Sequence, residues 1–260
     1  ERLKAGGEPL RLTLDNGVQS AVESELSAAA AEHDIQGGAV ILMDASSGEI
    51  RAMASWPPLD ANRALELKTD DTARLNRATS AVYELGSIFK PFTVAAALEA
   101  GAIKPTDLFD VQTPMEIRGY EIHDLHPIHG PANATRIISE SSNLGTVHIN
   151  TALGPRRQKA FLEGLGLMGR APIELAGSAK PILPERFDDL SAATVSYGHG
   201  IAVSPMAFLS GFSAFANGGE RASPTLVVDD ARKPVPVRVM SALTADMVNV
   251  MMREAVVNGT

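Results

Sequence analysis

Ser87 and Lys90 lie three residues apart in the run Tyr83-Glu84-Leu85-Gly86-Ser87-Ile88-Phe89-Lys90-Pro91. At that spacing two side chains share one face of a helix. An amine held beside a hydroxyl can take its proton, and the resulting alkoxide is an acyl-transfer nucleophile. The chemistry requires a neutral lysine, so the surroundings must lower its pKa.

The local pattern says how such a pair is positioned. Apolar residues continue after Pro91 to about Ala100, where Gly101 is a stop signal. Proline is tolerated only in the first turn of a helix, so Pro91 pins the start of this helix close to Ser87. The serine then stands at the positive end of the helix dipole, where a developing oxyanion is favoured.

The other elements follow from periodicity and turn chemistry. Asp15-Asn16-Gly17 opens an amphipathic helix over about 18–32, with Val18, Val22, Leu26 and Ala30 on one face. Ala39 to Met43 and Glu49 to Ala54 flank Asp44-Ala45-Ser46-Ser47-Gly48 and predict a β-hairpin, ended by Trp56-Pro57-Pro58. Residues 60–82 are polar, with short helical pieces. Short strands are expected at 109–112 and 115–122. Helices are expected at Thr135–Glu140, Leu144–Leu153, Pro155–Leu165, Ser204–Ala216 and Thr244–Val257, and a strand at Pro224–Val228.

Composition narrows the function. The 260 residues are 45% hydrophobic and 21% charged, which suits a soluble globular domain. A net charge of −8 without a basic stripe argues against nucleic acid as a partner. No apolar run is long enough to span a membrane. With no cysteine, disulfides, thiolate nucleophiles and Cys-ligated metals are excluded. The first residue is Glu1 rather than Met, so upstream residues are expected to have been removed or left out.

A Ser-x-x-Lys tetrad arises by chance about once in a chain of this length. Here it is joined by a single Ser-x-Asn triplet, Ser141-Ser142-Asn143, between two helical segments. Together, Gly86-Ser87-Ile88-Phe89-Lys90-Pro91 and Ser141-Ser142-Asn143 resemble the transpeptidase domain of penicillin-binding proteins. The likeness extends to the Ala39–Ala54 hairpin, to Asn76-Arg77-Ala78, to Tyr197-Gly198-His199-Gly200 leading into Ser204-Pro205, and to Asn217-Gly218-Gly219. Within class B, Tyr83-Glu84-Leu85-Gly86-Ser87 and His199-Gly200 are most similar to the septal, cell-division transpeptidase of Gram-negative bacteria.

The resemblance implies an α/β (α+β) fold: an antiparallel sheet flanked by helices, plus an all-helical part, with the active site between them. It implies a peptidoglycan D,D-transpeptidase. Ser87 would attack a D-Ala-D-Ala stem peptide, Lys90 would act as base and Ser141 would relay a proton. Asn143 would bind the substrate amide, and the Ser87 N–H would give half of the oxyanion hole. β-Lactams would acylate the same serine. No cofactor or metal is implied. Implied partners are peptidoglycan stem peptides and, for the parent protein, division-machinery membrane proteins including a peptidoglycan glycosyltransferase. The implied location is the periplasmic face of the inner membrane, with an N-terminal anchor helix in the parent.

One departure stands out. The family's third motif, Lys-Thr-Gly or Lys-Ser-Gly on a strand, is absent, and Lys68-Thr69-Asp70 lies too early and lacks the glycine. In the family this motif follows the long helix that Thr244–Val257 resembles. Residues 1–260 are therefore expected to be one transpeptidase domain, incomplete at its C-terminus, with the motif about 15–30 residues further on. Alone, the chain is expected to be unstable or poorly active, because missing inner strands leave sheet edges open.

Alternatives remain. A D,D-carboxypeptidase or β-lactamase would use the same serine, but no Glu-x-x-Leu-Asn pentad offers a deacylating glutamate. A non-catalytic β-lactam sensor or cell-wall scaffold is the other class. His123, His126 and His129 with Asp124 could form a zinc site, but Pro127 denies them a fixed helical face, and a loop lining the cleft is the favoured reading. His199 is expected to be packed beside the cleft rather than to carry protons. His33 is expected at the surface and His148 in the core. Met247, Met251 and Met252 read as helix core.

Overall fold

The computed structural model describes residues 9–60, 62, 63, 66, 68, 71–229 and 234–259. Helix α1 (Asn16–His33) starts where Asp15 caps it, its carboxylate accepting the Val18 N–H at 3.0 Å. The buried side of α1, Leu26 and Ala30, lies across the hairpin of β1 (Gly38–Met43) and β2 (Ile50–Trp56). The hairpin is antiparallel, with Gly38 opposite Trp56 and Met43 opposite Ile50. Asp44 holds its turn by accepting from the Ser46 N–H, the Ser47 N–H and the Ser46 hydroxyl, which keeps its carboxyl well below the usual carboxylate range. Gly48 must be glycine: φ is +78°, and a Cβ there would fall 2.0 Å from the Ser223 carbonyl oxygen.

The second body is helical. A 3₁₀ turn at Gly86–Phe89 runs directly into α2 (Lys90–Glu99), which is buried along almost its whole length from Lys90 to Leu98. Around α2 pack α3 (Ala134–Ser139), α4 (Asn143–Leu153), α5 (Pro155–Gly164) and α8 (Ala242–Asn258), and α6 (Asp189–Ser196) packs against α4 and α5. Helix α7 (Pro205–Ala216) contributes Phe208, Phe212 and Phe215, whose ring centroids lie 5.5–6.0 Å from that of Phe92. Phe89 adds an edge-to-face contact at 5.3 Å. An aromatic cluster therefore lies under the turn that carries Ser87.

Three further short strand pairs are present among the described residues. Among the described residues, β3 (Tyr83–Glu84) pairs with β6 (Ala202–Val203), and β4 (Met115–Ile117) with β5 (Tyr120–Ile122). The last pair is β7 (Glu220–Arg221) with β8 (Val237–Arg238), and all are antiparallel. The mixed α/β architecture with antiparallel strands is the expected class.

Three local expectations need correction. Residues 109–112 form no strand, because Phe109 meets only Ala132 in an isolated bridge. Pro224–Val228 likewise makes single bridges, Thr225 to Glu49 and Val227 to Leu12, because each neighbour offers one residue rather than a ladder. Helix α6 was not expected. It is set by a capping box in which Asp188 accepts from the Ser191 N–H while the Ser191 hydroxyl accepts from the Asp188 N–H. Lys68 is described, but Thr69 and Asp70 lie outside the described residues.

Candidate active site

Pro91 occupies the first turn of α2, as the sequence requires, and Ser87 sits one turn earlier in the 3₁₀ segment. Ser87 is exposed at the mouth of a cleft of about 270 Å³, while Lys90 is only 1% exposed. The cleft is lined by Gly86, Ser87, Asp124, Ser141, Asn143 and Tyr197, among others. A larger depression of about 420 Å³ lies elsewhere, between α1, β2 and residues 73–76. The Ser87 cleft is distinguished by its chemistry, not its size.

The Lys90 amine donates to Ser141 twice, to its hydroxyl at 3.0 Å and to its carbonyl oxygen. Burial removes water from the ammonium and pushes the Lys90 pKa down to about 8, against an opposing pull from the negative charge of Asp124. A group with that pKa is neutral in roughly one molecule in ten at pH 7. This is the condition a lysine base must meet.

Ser141 takes an unusual backbone conformation, φ +57°, in the left-handed region. That places both its carbonyl and its hydroxyl toward Lys90. Ser142 then caps α4, its hydroxyl accepting the Gly145 N–H at 2.9 Å, and Asn143 begins the helix. Gly145 permits α3 and α4 to touch, since a Cβ there would meet the Ile137 side chain at 2.4 Å. Helix α3, capped by Asn133, delivers the chain into the Ser141 turn.

Asp124 was missed as a site residue. Its carboxylate accepts from the Ser142 hydroxyl at 2.7 Å, from the Leu144 N–H at 3.0 Å and from the Asn143 N–H. The partners lie 18 to 20 residues downstream, a separation for which sequence offers no spacing rule.

The opposite rim is the segment 197–200. The Gly86 N–H donates to the Gly198 carbonyl at 3.2 Å, and the Ser196 carbonyl accepts the Thr93 hydroxyl at 2.7 Å, which fastens the rim to α2. His199 is a correction: its side chain is 68% exposed rather than packed. Its Nδ1 lies 3.0 Å from the Glu84 carboxylate, and its ring is near-parallel to that of Tyr197. Glu84 also accepts the Gly200 N–H at 2.9 Å.

Of the residues chosen from sequence, Ser87, Ser141 and Asn143 line one cleft, and Lys90 lies buried beside it, bonded to Ser141. The histidines of 123–129 do not converge, and among the described residues no cluster has a metal-ligand arrangement. Their loop lines the cleft through Asp124, Leu125 and His126. His33 is exposed and His148 is half-buried rather than core.

Residues 38–260 match the penicillin-binding protein transpeptidase domain. A probable peptidoglycan D,D-transpeptidase FtsI of Caulobacter vibrioides is 39% identical over 261 residues, covering 99% of this chain and 44% of that protein. A probable peptidoglycan D,D-transpeptidase PenA of Neisseria flavescens is 31% identical, covering 95% and 61%. The transpeptidase domain of penicillin-binding protein 3 from Burkholderia pseudomallei superposes with a TM-score of 0.82 at 28% identity, covering 95% of this chain and 70% of that one. Penicillin-binding protein 3 of Mycobacterium tuberculosis, complexed with aztreonam, superposes with a TM-score of 0.86 at 27% identity, covering 96% and 58%. The chain spans 44% and 61% of the two curated relatives named. The match runs through both motifs and the cleft they share, and the chain belongs to the penicillin-binding protein transpeptidase domain family.

Proposed function

We propose that the protein is a serine-type peptidoglycan D,D-transpeptidase of the septal kind. Residues 38–260 fall within its transpeptidase domain. The observation that carries this reading is Lys90: buried, with a pKa near 8, bonded to Ser141, and one helical turn from an exposed Ser87.

The neutral Lys90 amine takes the Ser87 proton as Oγ attacks the carbonyl between the two D-alanines. The tetrahedral oxyanion is held by the Ser87 N–H at the helix start. Collapse breaks the peptide bond, and the leaving D-alanine nitrogen receives a proton from Lys90 through the Ser141 hydroxyl. The acyl ester on Ser87 is then attacked by an amine of a neighbouring stem peptide; the amine's proton returns through Ser141 to Lys90, which gives it to Ser87 Oγ as the ester bond breaks and the cross-linked peptide leaves. Asn143, with a donor and an acceptor in its amide, aligns the substrate amide. Among the described residues no hydrogen bond joins Lys90 to the Ser87 hydroxyl; the amine is engaged by Ser141, the partner it needs for the relay.

A β-lactam presents the same carbonyl and would acylate Ser87. For the whole protein we propose action at the periplasmic face of the inner membrane, with partners among the division membrane proteins, including a peptidoglycan glycosyltransferase. Among the described residues no helix is long and apolar enough to cross a membrane. The test is mass spectrometry of the full-length protein after exposure to benzylpenicillin. One adduct, on the peptide containing Ser87 and lost in Ser87→Ala, is expected. An adduct elsewhere, or none, would reject the reading. Cross-linking of stem peptides separates a transpeptidase from a sensor, and rapid β-lactam turnover would instead mark a hydrolase.

A further inference from the structure

The carboxylate of Asp124 accepts three hydrogen bonds, all from the three residues that follow Ser141. Oδ2 takes the Ser142 hydroxyl, and Oδ1 takes the N–H groups of Asn143 and Leu144, two donors that the first turn of α4 leaves without helical acceptors. The Ser142 hydroxyl also accepts from Gly145, so it is fixed at both its donor and its acceptor sites. The turn is therefore clamped immediately after Ser141, the one residue of the motif in a left-handed conformation. For a non-glycine residue that conformation costs on the order of 1 kcal/mol and persists only where the surroundings enforce it.

Asp124 also lies in the wall of the Ser87 cleft, with Glu140, His126, Tyr197 and His199 as the other titratable groups of that wall and Glu84 behind His199. Of these, Asp124 is the charge that acts on Lys90. Glu140 is turned to Arg136, which it meets at 2.5 Å, and Glu84 is paired with His199.

We propose that Asp124 is a positioning residue for the reaction: it clamps the Ser141–Asn143 turn in its reactive shape, and its negative charge, bonded to that turn, favours the protonated form of the amine that Ser141 holds. This rests on the reading of Lys90 as base. The two duties come from one carboxylate but separate by substitution. Asp124→Asn removes the charge and keeps the oxygen that accepts from Asn143 and Leu144, losing only the acceptor for the Ser142 hydroxyl. Asp124→Ala removes both.

The experiment uses full-length protein carrying ¹³C-labelled lysine. In Asp124→Asn the Lys90 Cε titration midpoint is expected to fall by about one pH unit. In Asp124→Ala, amide exchange at Asn143 and Leu144 is expected to accelerate about tenfold or more. Acylation by benzylpenicillin should follow: both variants shift its rise with pH to lower pH, and Asp124→Ala also lowers the plateau about tenfold. An unchanged Lys90 midpoint in Asp124→Asn overturns the electrostatic duty, and unchanged amide exchange in Asp124→Ala overturns the clamp. Absence of acylation in the wild type would reject the transpeptidase reading, while the lysine titration and amide exchange still decide the role of Asp124.

Discussion

A methyl group at Gly198 would lie 2.2 Å from the carbonyl oxygen of Gly86, backbone against backbone. The residue before the nucleophile is thus pressed against the opposite rim, and the Gly86 N–H bonds that rim directly. Gly198 also has φ +80°. Gly198→Ala is therefore expected to destabilise the fold by about 1–3 kcal/mol and to slow acylation of Ser87 by displacing it. Urea unfolding and the acylation rate check both; a variant that acylates at the wild-type rate would show that the contact does not position Ser87.

The buried lysine has consequences for both rate and stability. Acylation is expected to rise about tenfold per pH unit up to pH 8 and then level off, because the rate follows the neutral fraction of Lys90. Lys90→Arg, which cannot deprotonate, is expected to lose about 10²- to 10⁴-fold. For stability, the folded pKa lies below the unfolded value of 10.5, so between about pH 8 and 10.5 the unfolded chain binds more protons. Stability then rises with pH in that window, by at most about 3 kcal/mol from this group. The pH slope of urea unfolding should be smaller in Lys90→Met, and equal slopes would contradict the depressed pKa.

Gly145 and Ile137 form a testable pair. Gly145→Ala pushes a methyl into the Ile137 side chain and is expected to cost about 1–3 kcal/mol. Ile137→Ala alone should also destabilise, by about 2–5 kcal/mol. Combined, the double variant should be more stable than the sum of the singles predicts, since the shortened side chain makes room. Strict additivity would place the strain elsewhere.

Beneath Ser87, Phe92 contacts four other phenylalanine rings. Phe92→Ala is expected to cost about 3–5 kcal/mol. Phe92→Leu should cost less while raising the amide exchange of residues 87–90, because that turn rests on the cluster. Unaltered exchange there would mean that the turn is held by its own hydrogen bonds alone.

The parts of the fold legible in sequence are those governed by local chemistry. Asp15, Ser142 and Ser204 cap helices with their own side chains, and Pro91 fixed the start of α2 to within one turn. What escaped depends on distant partners. Helix α6 consists, after Asp189 and Leu190, of small and β-branched residues with little periodicity, and its signal is the Asp188–Ser191 cap. Residues 224–228 have the composition of a strand but meet single residues of separate segments. In the candidate site, Ser87, Lys90, Ser141 and Asn143 were legible because spacing and family motif agree, and the structure places them close together. Asp124 was hidden because its hydrogen bonds cross a loop, and its flanking histidines drew notice to metal chemistry instead. The exposure of His199 was hidden for a similar reason: its flanking glycines say nothing about which side of the backbone faces solvent.

The backbone at Ser141 shows where folding and chemistry disagree. A polypeptide selected only for ease of folding would carry glycine there, since φ +57° is free of steric penalty without a Cβ. A glycine would keep the carbonyl that faces Lys90 and delete the hydroxyl assigned to the proposed proton path. Ser141→Gly should therefore be at least as stable as the wild type and nearly inert, the opposite pairing of effects from most core substitutions. The turn is a small reserve of instability that the protein keeps because the oxygen at its tip has work to do.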